Sequence, residues 1–343
     1  MSAFAPSPST TLAELPESPS TFKTLYVDKS RPAIFSTPPP TSSVFNGSSP
    51  LPSCWSKLSS LATLRSSIGS RKVTVNVTPP HGHGDYYSPS TPVGGERFVM
   101  PLEVRMSFCD FMDKISRQAG GEDSPVYYYS QQNDNLRDAN EGASWLKDEI
   151  GLPTRLPYFE AAFSSPSCSP AADAVNLWVG DGRATTSLHS DPYHNVYTVT
   201  RGVKTFHILP PWCGGLLEER NLDASRFRME GDGSEMGMED LFDETTGERV
   251  RTKWIVNDMA PLLGARRHPQ GDECPPLPEV CLDHVTKMTI SAGQTLYLPP
   301  SWYHAVTSDG PTIAVNYWYD MDFNDRWGYE NLVKGLQKIV HVN

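Results

Sequence analysis

The sequence lacks clustered cysteines, an excess of basic residues and any long apolar run. Its six cysteines are scattered over 343 residues without a C-x-x-C pair, which excludes zinc fingers and argues against a disulfide framework. The formal net charge of −11 argues against direct nucleic-acid binding through a basic face. No apolar run approaches the length of a membrane span, so no membrane association is expected.

Two further absences concern location and proteolysis. The N-terminus has no basic start followed by an apolar stretch, which is the pattern of a secretory signal. Together with the scattered cysteines, this predicts a cytoplasmic protein, with a nuclear location as a second expectation. The sequence has no H-E-x-x-H motif and no nucleophile with its local signature, and it therefore offers a peptidase activity no support.

The N-terminal region is rich in proline, serine and threonine. Residues 1–20 are predicted to be a disordered tail, and residues 21–343 a single domain. The elements expected first are short strands at 21–27 and 31–35, a loop at 38–52, a helix at 55–68 and strands at 73–78 and 126–131.

Short runs of β type predict a mainly β core at about residues 170–320. They lie at 175–179, 195–199, 204–209, 286–290, 294–298 and 312–318. Their number and even spacing predict a small antiparallel barrel or jelly roll. An apolar stripe at helical spacing then predicts a C-terminal helix at about 324–340, with Leu332, Val333, Leu336, Ile339 and Val340 on one face.

About 75 residues between the two β blocks are predicted to be rich in loops. Within them, residues 229–249 contain eight acidic side chains and one arginine. The simplest interpretation is a solvated acidic insert. The alternative is a surface that recruits a basic substrate.

His189, Asp191 and His304 form the pattern His-x-Asp…His, the ligand set of a mononuclear non-haem iron centre. Residues two apart on a strand face the same side, roughly 6.6 Å apart along the backbone, so His189 and Asp191 can bind one metal. His304 follows a second strand-like run and is the candidate third ligand. These ligands leave three positions open, enough for a bidentate co-substrate and O2.

Lys204 lies in an otherwise apolar strand after the His-x-Asp segment. A lysine on a buried face needs an anionic partner, and the distal carboxylate of 2-oxoglutarate would supply one. Thr186 lies three residues before His189, so on a regular strand it would face the opposite side. Its side chain reaches the same site only if the strand bulges.

Three longer segments resemble the JmjC hydroxylases, and in particular their lysyl (3S)-hydroxylases. They are residues 173–211, which contain T-S-L-H-S-D, residues 293–304, which end in W-Y-H, and residues 313–322, I-A-V-N-Y-W-Y-D-M-D. The resemblance extends from about residue 70 to the C-terminus, whereas residues 34–53 do not match the family well. It implies a double-stranded β-helix of cupin or jelly-roll type with flanking helices.

The resemblance also implies roles for individual residues. His189, Asp191 and His304 would bind Fe(II), Lys204 would pair with the distal carboxylate of 2-oxoglutarate, and Thr186 would add a hydrogen bond to it. The other implied contacts are Tyr129 to the co-substrate, Asn195 and Asn316 beside the metal, and Trp318 in the lining of the pocket.

The implied activity is that of a dioxygenase that converts 2-oxoglutarate and O2 to succinate and CO2 while it hydroxylates C3 of a lysine. The implied protein substrate is a translation-associated GTPase of the Drg type, and a homodimer through the C-terminal helix is a further expectation. Two alternatives stay open: a JmjC N-methyl-lysine demethylase, and a non-catalytic cupin-fold binding protein. The absence of cysteine-rich modules argues against the first, and the presence of Lys204 argues against the second.

Overall fold

The computed structural model describes residues 8–36, 53–117, 123–165, 169–231, 235–263, 273–322 and 325–341. The helices are α1 (Pro19–Phe22), α2 (Ser53–Leu58), α3 (Leu61–Ile68), α4 (Phe108–Arg117), α5 (Leu146–Glu149), α6 (Pro157–Phe163), α7 (Ala260–Leu263), α8 (Glu279–Leu282) and α9 (Asp325–His341). The strands are β1 (Ser9–Ala13), β2 (Ala33–Phe35), β3 (Lys72–Thr78), β4 (His83–Gly84), β5 (Tyr86–Ser88), β6 (Arg97–Met100), β7 (Leu102–Ser107), β8 (Val126–Tyr129), β9 (Ala174–Gly180), β10 (Thr185–Ser190), β11 (Tyr193–Leu209), β12 (Glu219–Glu230), β13 (Glu235–Asp240), β14 (Arg251–Ile255), β15 (Thr286–Ser291), β16 (Thr295–Leu298) and β17 (Tyr303–Asp320).

Two long antiparallel strands, β11 and β17, organise the core. They pair from Tyr193 opposite Asp320 to Leu209 opposite Tyr303, with register shifts between Val199 and Val203. The first half of β11 also pairs with β16 and its second half with β15, while β17 pairs with β9 and β10. Each long strand therefore contributes to both layers of a jelly roll. The predicted fold class, a double-stranded β-helix of cupin type, is confirmed.

The two layers face each other across an apolar interior. Tyr197 lies on the first half of β11 and Phe206 on the second half, yet their ring centroids are only 5.2 Å apart at 72°. Both side chains belong to one buried cluster that also includes Trp178 and Trp302. The bend near Gly202 therefore folds β11 over the interior, and polar side chains on its inner face point into an enclosed space.

The N-terminal region differs from its predicted structure. Residues 9–13 form β1, which pairs in parallel with β2, so the expected disorder does not hold for residues 8–20. The strand predicted at 21–27 is wrong, because α1 continues into a π-helical turn at Lys23–Val27. Ser18 caps this helix with its hydroxyl, and Phe22 and Tyr26 lie four residues apart with ring centroids 5.3 Å apart. The loop predicted at 38–52 lies outside the described residues.

Three other strands predicted in the N-terminal half are present. The strands expected at 31–35, 73–78 and 126–131 occur as β2, β3 and β8. The helix expected at 55–68 is divided into α2 and α3, because the hydroxyl of Ser60 accepts a hydrogen bond from the Thr63 N–H and starts a new helix. At the other end of the chain, α9 covers the segment where a helix was expected. No helix among the described residues is long and apolar enough to cross a membrane.

The segment between the two β blocks forms a second sheet, so the loop-rich prediction is wrong. Strand β12 pairs with β13, β14 and β6, and β6 pairs with β5. Two acidic side chains of the insert form ion pairs, Asp240 with Arg97 at 2.8 Å and Glu239 with Arg226 at 2.8 Å. Residues 242–249 are exposed, as expected of a solvated segment. The high charge of the insert obscured the buried residues on β12, which include Leu222 and Phe227.

Candidate metal centre

The three predicted ligands meet where β10 and β17 pair. His189 lies on β10 directly opposite His304 on β17, and their ring centroids are 4.2 Å apart. Asp191 follows β10, where its carbonyl accepts a hydrogen bond from the Ser301 N–H at 2.9 Å. One potential ligand atom from each of the three side chains lies within 4.8 Å of the others. The structure therefore brings the predicted set together.

Backbone carbonyls orient both imidazoles. His189 Nδ1 donates to the Ser187 carbonyl at 2.8 Å, and His304 Nδ1 donates to the Trp302 carbonyl at 3.1 Å. Because a carbonyl can only accept, each Nδ1 carries the proton and each Nε2 keeps its lone pair. These Nε2 atoms lie 3.8 and 3.6 Å from Asp191 Oδ2. Two imidazole nitrogens and one carboxylate are a suitable donor set for Fe(II).

Burial keeps the His304 imidazole in the form that binds metals. Desolvation, with His189 nearby, lowers the pKa of His304 to about 4, although Asp191 acts in the opposite direction. Aromatic rings cover both imidazoles: Trp254 stacks on His189 at 6.2 Å and 10°, and Phe206 on His304 at 6.0 Å and 27°. The centre is thereby protected from water on these sides.

A cavity open to solvent adjoins the triad. Five of the six residues predicted to contact the co-substrate or to line its pocket are in its wall: Thr186, Asn195, Lys204, Asn316 and Trp318. Asn316 connects part of this wall, since its Oδ1 accepts from Trp178 Nε1 at 2.9 Å and its Nδ2 donates to Asn195 at 3.2 Å. The indole nitrogen of Trp318 is buried and has no hydrogen-bond partner among the described residues. It is a donor available to a bound carboxylate.

Lys204 supplies the positive charge of this cavity. Its Nζ donates to the Tyr128 hydroxyl at 2.9 Å and to Ser308 Oγ at 3.1 Å. Within the described part of the chain, no carboxylate pairs with it, and burial lowers the pKa of Lys204 to about 7. A buried amine between two neutral hydroxyls fits an anionic ligand such as the distal carboxylate of 2-oxoglutarate.

Thr186 reaches the cavity because β10 is irregular. The pairing of β10 with β17 shifts register between Thr186 and His189. A bulge places one extra residue on one strand and changes which side chains share a face. Thr186 and His189 therefore both line the cavity although they are three positions apart. This is the strand irregularity that the prediction for Thr186 needed.

The prediction for Tyr129 is contradicted. Its side chain is fully buried on the other side of β8, where its hydroxyl donates to Glu141 at 3.2 Å. The neighbouring Tyr128 lines the cavity and contacts Lys204. Adjacent residues on a strand face opposite sides, so the prediction placed the wrong one of two neighbouring tyrosines in the cavity.

Sequence reasoning also missed Ser308 and Trp254. Ser308 lies opposite Lys204 in the pairing of β11 with β17, which only the register shows. Trp254 comes from β14, in the segment between the two β blocks, where no strand was expected. The signal in the sequence was a pair of large apolar residues, Trp254 and Ile255, directly after Lys253.

Comparison with known proteins agrees with this geometry. The family model described as "Cupin-like domain" matches residues 19–325. The chain is 32% identical to the human bifunctional peptidase and (3S)-lysyl hydroxylase JMJD7, over 81% of this chain and 77% of that protein. It is 27% identical to JmjC domain-containing protein E of Dictyostelium discoideum, over 78% of this chain and 74% of that protein. It is 32% identical to the lysine-specific demethylase JMJ32 of Arabidopsis thaliana, over 62% of this chain and 57% of that protein. The chain therefore belongs to the cupin-like family of JmjC-domain proteins.

Proposed function

We propose that this chain uses Fe(II), 2-oxoglutarate and O2 to hydroxylate C3 of a lysine in a protein substrate. JmjC proteins are oxygenases that typically use Fe(II) and 2-oxoglutarate, which gives the reaction class. The observation that carries the proposal is the His189, Asp191 and His304 set beside a cavity with the buried amine of Lys204. Similarity to a (3S)-lysyl hydroxylase supports lysine as the target.

Each part of the site has a role in this proposal. His189, Asp191 and His304 would hold the metal. Hydrogen bonds from the two imidazoles to backbone carbonyls fix the orientation of the rings. Lys204 would neutralise the distal carboxylate of 2-oxoglutarate, with Tyr128 holding its ammonium in place. A bound Fe(II) would let O2 act as the oxidant: one oxygen atom would enter succinate as 2-oxoglutarate loses CO2, and the other would convert the lysine C–H bond to C–OH.

We further propose that the substrate is a translation-associated GTPase of the Drg type, and that the protein works in the cytoplasm or nucleus. Cys109, Cys213 and Cys281 are free thiols, in keeping with a reducing compartment. The peptidase activity in the name of the human relative is not part of the proposal. The sequence contains neither H-E-x-x-H nor a nucleophile with its local signature.

The second candidate is demethylation of an N-methyl-lysine. The similarity to the Arabidopsis lysine-specific demethylase favours it, and the same metal chemistry on a methyl group would release formaldehyde. A trimethyl-lysine peptide as alternative substrate separates the two candidates. Loss of a methyl group from this peptide, without oxygen retained on the unmodified one, would establish the demethylase.

Mass spectrometry of a purified Drg-type GTPase tests the proposal. The GTPase is incubated with the full chain, Fe(II), 2-oxoglutarate and ascorbate, and a His189→Ala variant is run beside it. We expect the gain of one oxygen on a single lysine, absent with the variant. Succinate without a modified GTPase would support the oxygenase activity and contradict the proposed substrate. No succinate at all would favour a non-catalytic binding protein.

A further inference from the structure

A second cleft adjoins the metal cavity. The two share four wall residues, Tyr128, Gln132, Trp178 and Thr186. The rings of Tyr128 and Trp178 lie 6.1 Å apart and form an aromatic wall between them. A side chain that reaches the metal can therefore continue into this cleft along an apolar surface.

The far side of the cleft presents an unneutralised carboxylate. Asp85 lines the cleft, and within the described part of the chain its carboxylate has neither a hydrogen bond nor an ion pair. Burial raises the pKa of Asp85 to about 6, partly opposed by the nearby His189. Its backbone has φ +53°, in the left-handed region that few residues other than glycine adopt. Such conformations persist where the surrounding structure holds them, often at binding sites.

The loop that carries Asp85 is anchored to the core. The Thr185 N–H donates to the Gly82 carbonyl at 2.9 Å, and β4 pairs with β10 immediately before Asp85. A Cβ added to Gly82, which has φ +74°, would lie 2.2 Å from the Arg183 carbonyl oxygen. Close backbone packing thus holds Asp85 in place before any ligand arrives.

Two buried hydroxyls in the same wall also lack partners. Neither Thr78 Oγ1 nor Thr185 Oγ1 has a hydrogen-bond partner among the described residues, and both threonines line the cleft together with Asp85. A buried polar atom without a partner costs about 1–3 kcal/mol. One carboxylate and two hydroxyls match a primary ammonium group, which has three N–H donors and no acceptor. Among the described residues, Asp85 has no second carboxylate or imidazole clustered with it as metal ligands, so a divalent cation is a poor match.

We propose that this cleft binds the side-chain ammonium of the substrate lysine, with Asp85 as its counter-ion. The inference rests on the proposed function and extends it. With C3 at the metal, the remaining methylene groups would pass along Tyr128 and Trp178, and the ammonium would enter the cleft. A trimethylated lysine has no N–H to donate, so the unmodified lysine binds more tightly.

Binding of small lysine probes tests the cleft without turnover. The full chain is loaded with Mn(II) and 2-oxoglutarate, and titrated with Nα-acetyl-lysine amide, its Nε-trimethyl form and the norleucine analogue. Dissociation constants come from the broadening of probe NMR signals by Mn(II). We expect the Asp85→Asn variant to bind the lysine probe at least about tenfold more weakly, because a buried charge pair is lost. The norleucine probe should bind the wild type and the variant alike.

Glu103 provides the matched control, since its carboxylate is exposed on β7 near Asp85. The Glu103→Gln variant should bind every probe within about twofold of the wild type. The affinity of each variant for 2-oxoglutarate shows that it is folded. Wild-type lysine affinity in Asp85→Asn, or tighter binding of the trimethyl probe than of the unmodified one, would overturn the inference.

Succinate formation by the wild type distinguishes this inference from the proposed function. If no succinate forms, the oxygenase proposal fails, and the Mn(II) titration still decides whether the cleft binds an ammonium. If succinate forms and Asp85→Asn keeps the wild-type KM for a lysine peptide, the cleft assignment fails and the oxygenase stands. A raised KM for the peptide in Asp85→Asn, with Glu103→Gln unchanged, supports both.

Discussion

Lys204 holds a buried amine between two hydroxyls, and this arrangement makes its protonation depend on a ligand. Burial lowers the pKa of Lys204 to about 7, whereas an exposed lysine titrates near 10.4. Between these two values the unfolded chain binds a proton that the folded chain does not. Lys204 therefore destabilises the ligand-free protein, and this effect diminishes as pH rises from 7 to 10.

Replacement of Lys204 by methionine tests this directly. We expect the ligand-free Lys204→Met protein to have a higher free energy of unfolding at pH 7 than the wild type, by on the order of a few kcal/mol. The difference should shrink towards pH 10, as measured by urea denaturation. Lys287→Met, which removes an exposed lysine on β15, is the control and should show no such trend. A difference that stays constant with pH would contradict the prediction.

Tyr128 and Tyr129 are neighbours with separate tasks, and paired variants distinguish them. Tyr128→Phe removes the hydroxyl that holds Lys204, so KM for 2-oxoglutarate should rise about three- to tenfold. Tyr129→Phe removes a buried hydrogen bond to Glu141, so it should lower the free energy of unfolding by about 1 kcal/mol and leave KM unchanged. Kinetics with 2-oxoglutarate and urea denaturation measure the two effects. The reverse pattern would restore Tyr129 to the site.

These two tyrosines also show what the sequence can predict at the residue scale. The ligand set was predictable because H-x-D places two donors on one face of a strand by its period alone. The choice between Tyr128 and Tyr129 depends on which face of β8 meets the cavity. That is set by the pairing of β8 with β9 and β3, which no local pattern in V-Y-Y-Y encodes.

Among the elements, β11 is the one whose shape creates the site. Its bend near Gly202 places Lys204 on a different layer from Asn195. A Cβ on Gly202, which has φ +74°, would lie 2.6 Å from the Pro311 carbonyl oxygen. Gly293 has φ +89° but no atom within 4 Å of such a Cβ. Alanine variants at these two glycines therefore distinguish the cost of a strained backbone alone from the added cost of a steric clash.

We therefore expect Gly202→Ala to destabilise the protein considerably more than Gly293→Ala. The Gly293 variant has only the left-handed backbone penalty, about 1–2 kcal/mol, whereas the Gly202 variant must also move β17 away. Gly202→Ala should also raise KM for 2-oxoglutarate, because Lys204 lies two residues further on. Thermal unfolding and kinetics of both variants provide the measurements. Equal melting temperatures would show that the bend tolerates a side chain.

Elements were predictable where one face is apolar and the other polar, as in β3 and α3. They were not predictable where a tertiary contact decides. Residues 21–27 are rich in β-branched and aromatic side chains, which favour a strand, yet Phe22 packs on Phe159 and Tyr297 with ring centroids 5.2 and 5.1 Å away, and the segment is helical. The strand β12 was hidden because arginines and acidic residues alternate with its buried ones, and ion pairs between neighbouring strands neutralise them.

At the scale of the whole molecule, the site combines the jelly roll with the second sheet. The metal ligands come from β10 and β17, whereas Trp254 from β14 covers His189. Strand β14 of the second sheet therefore covers one side of the centre. Sequence reasoning located the candidate metal centre because its ligands lie in two short recognisable motifs, H-S-D and W-Y-H, whereas Ser308 and Trp254 carry no such motif and are identified only by the fold.

The outer surface supports one last prediction, a homodimer through α9. Leu332 and Leu336 lie one turn apart on this helix, and their side chains are 58% and 53% exposed, whereas Gln337 packs against Gly215. Burial of a leucine contributes about 1.5–3 kcal/mol, so four leucines from two copies favour association. Sedimentation velocity should show twice the chain mass of 38.0 kDa for the wild type and the single mass for a Leu332→Glu, Leu336→Glu variant. Val280→Glu, at an exposed position on α8, should stay dimeric, and a monomeric wild type at micromolar concentration would rule the dimer out.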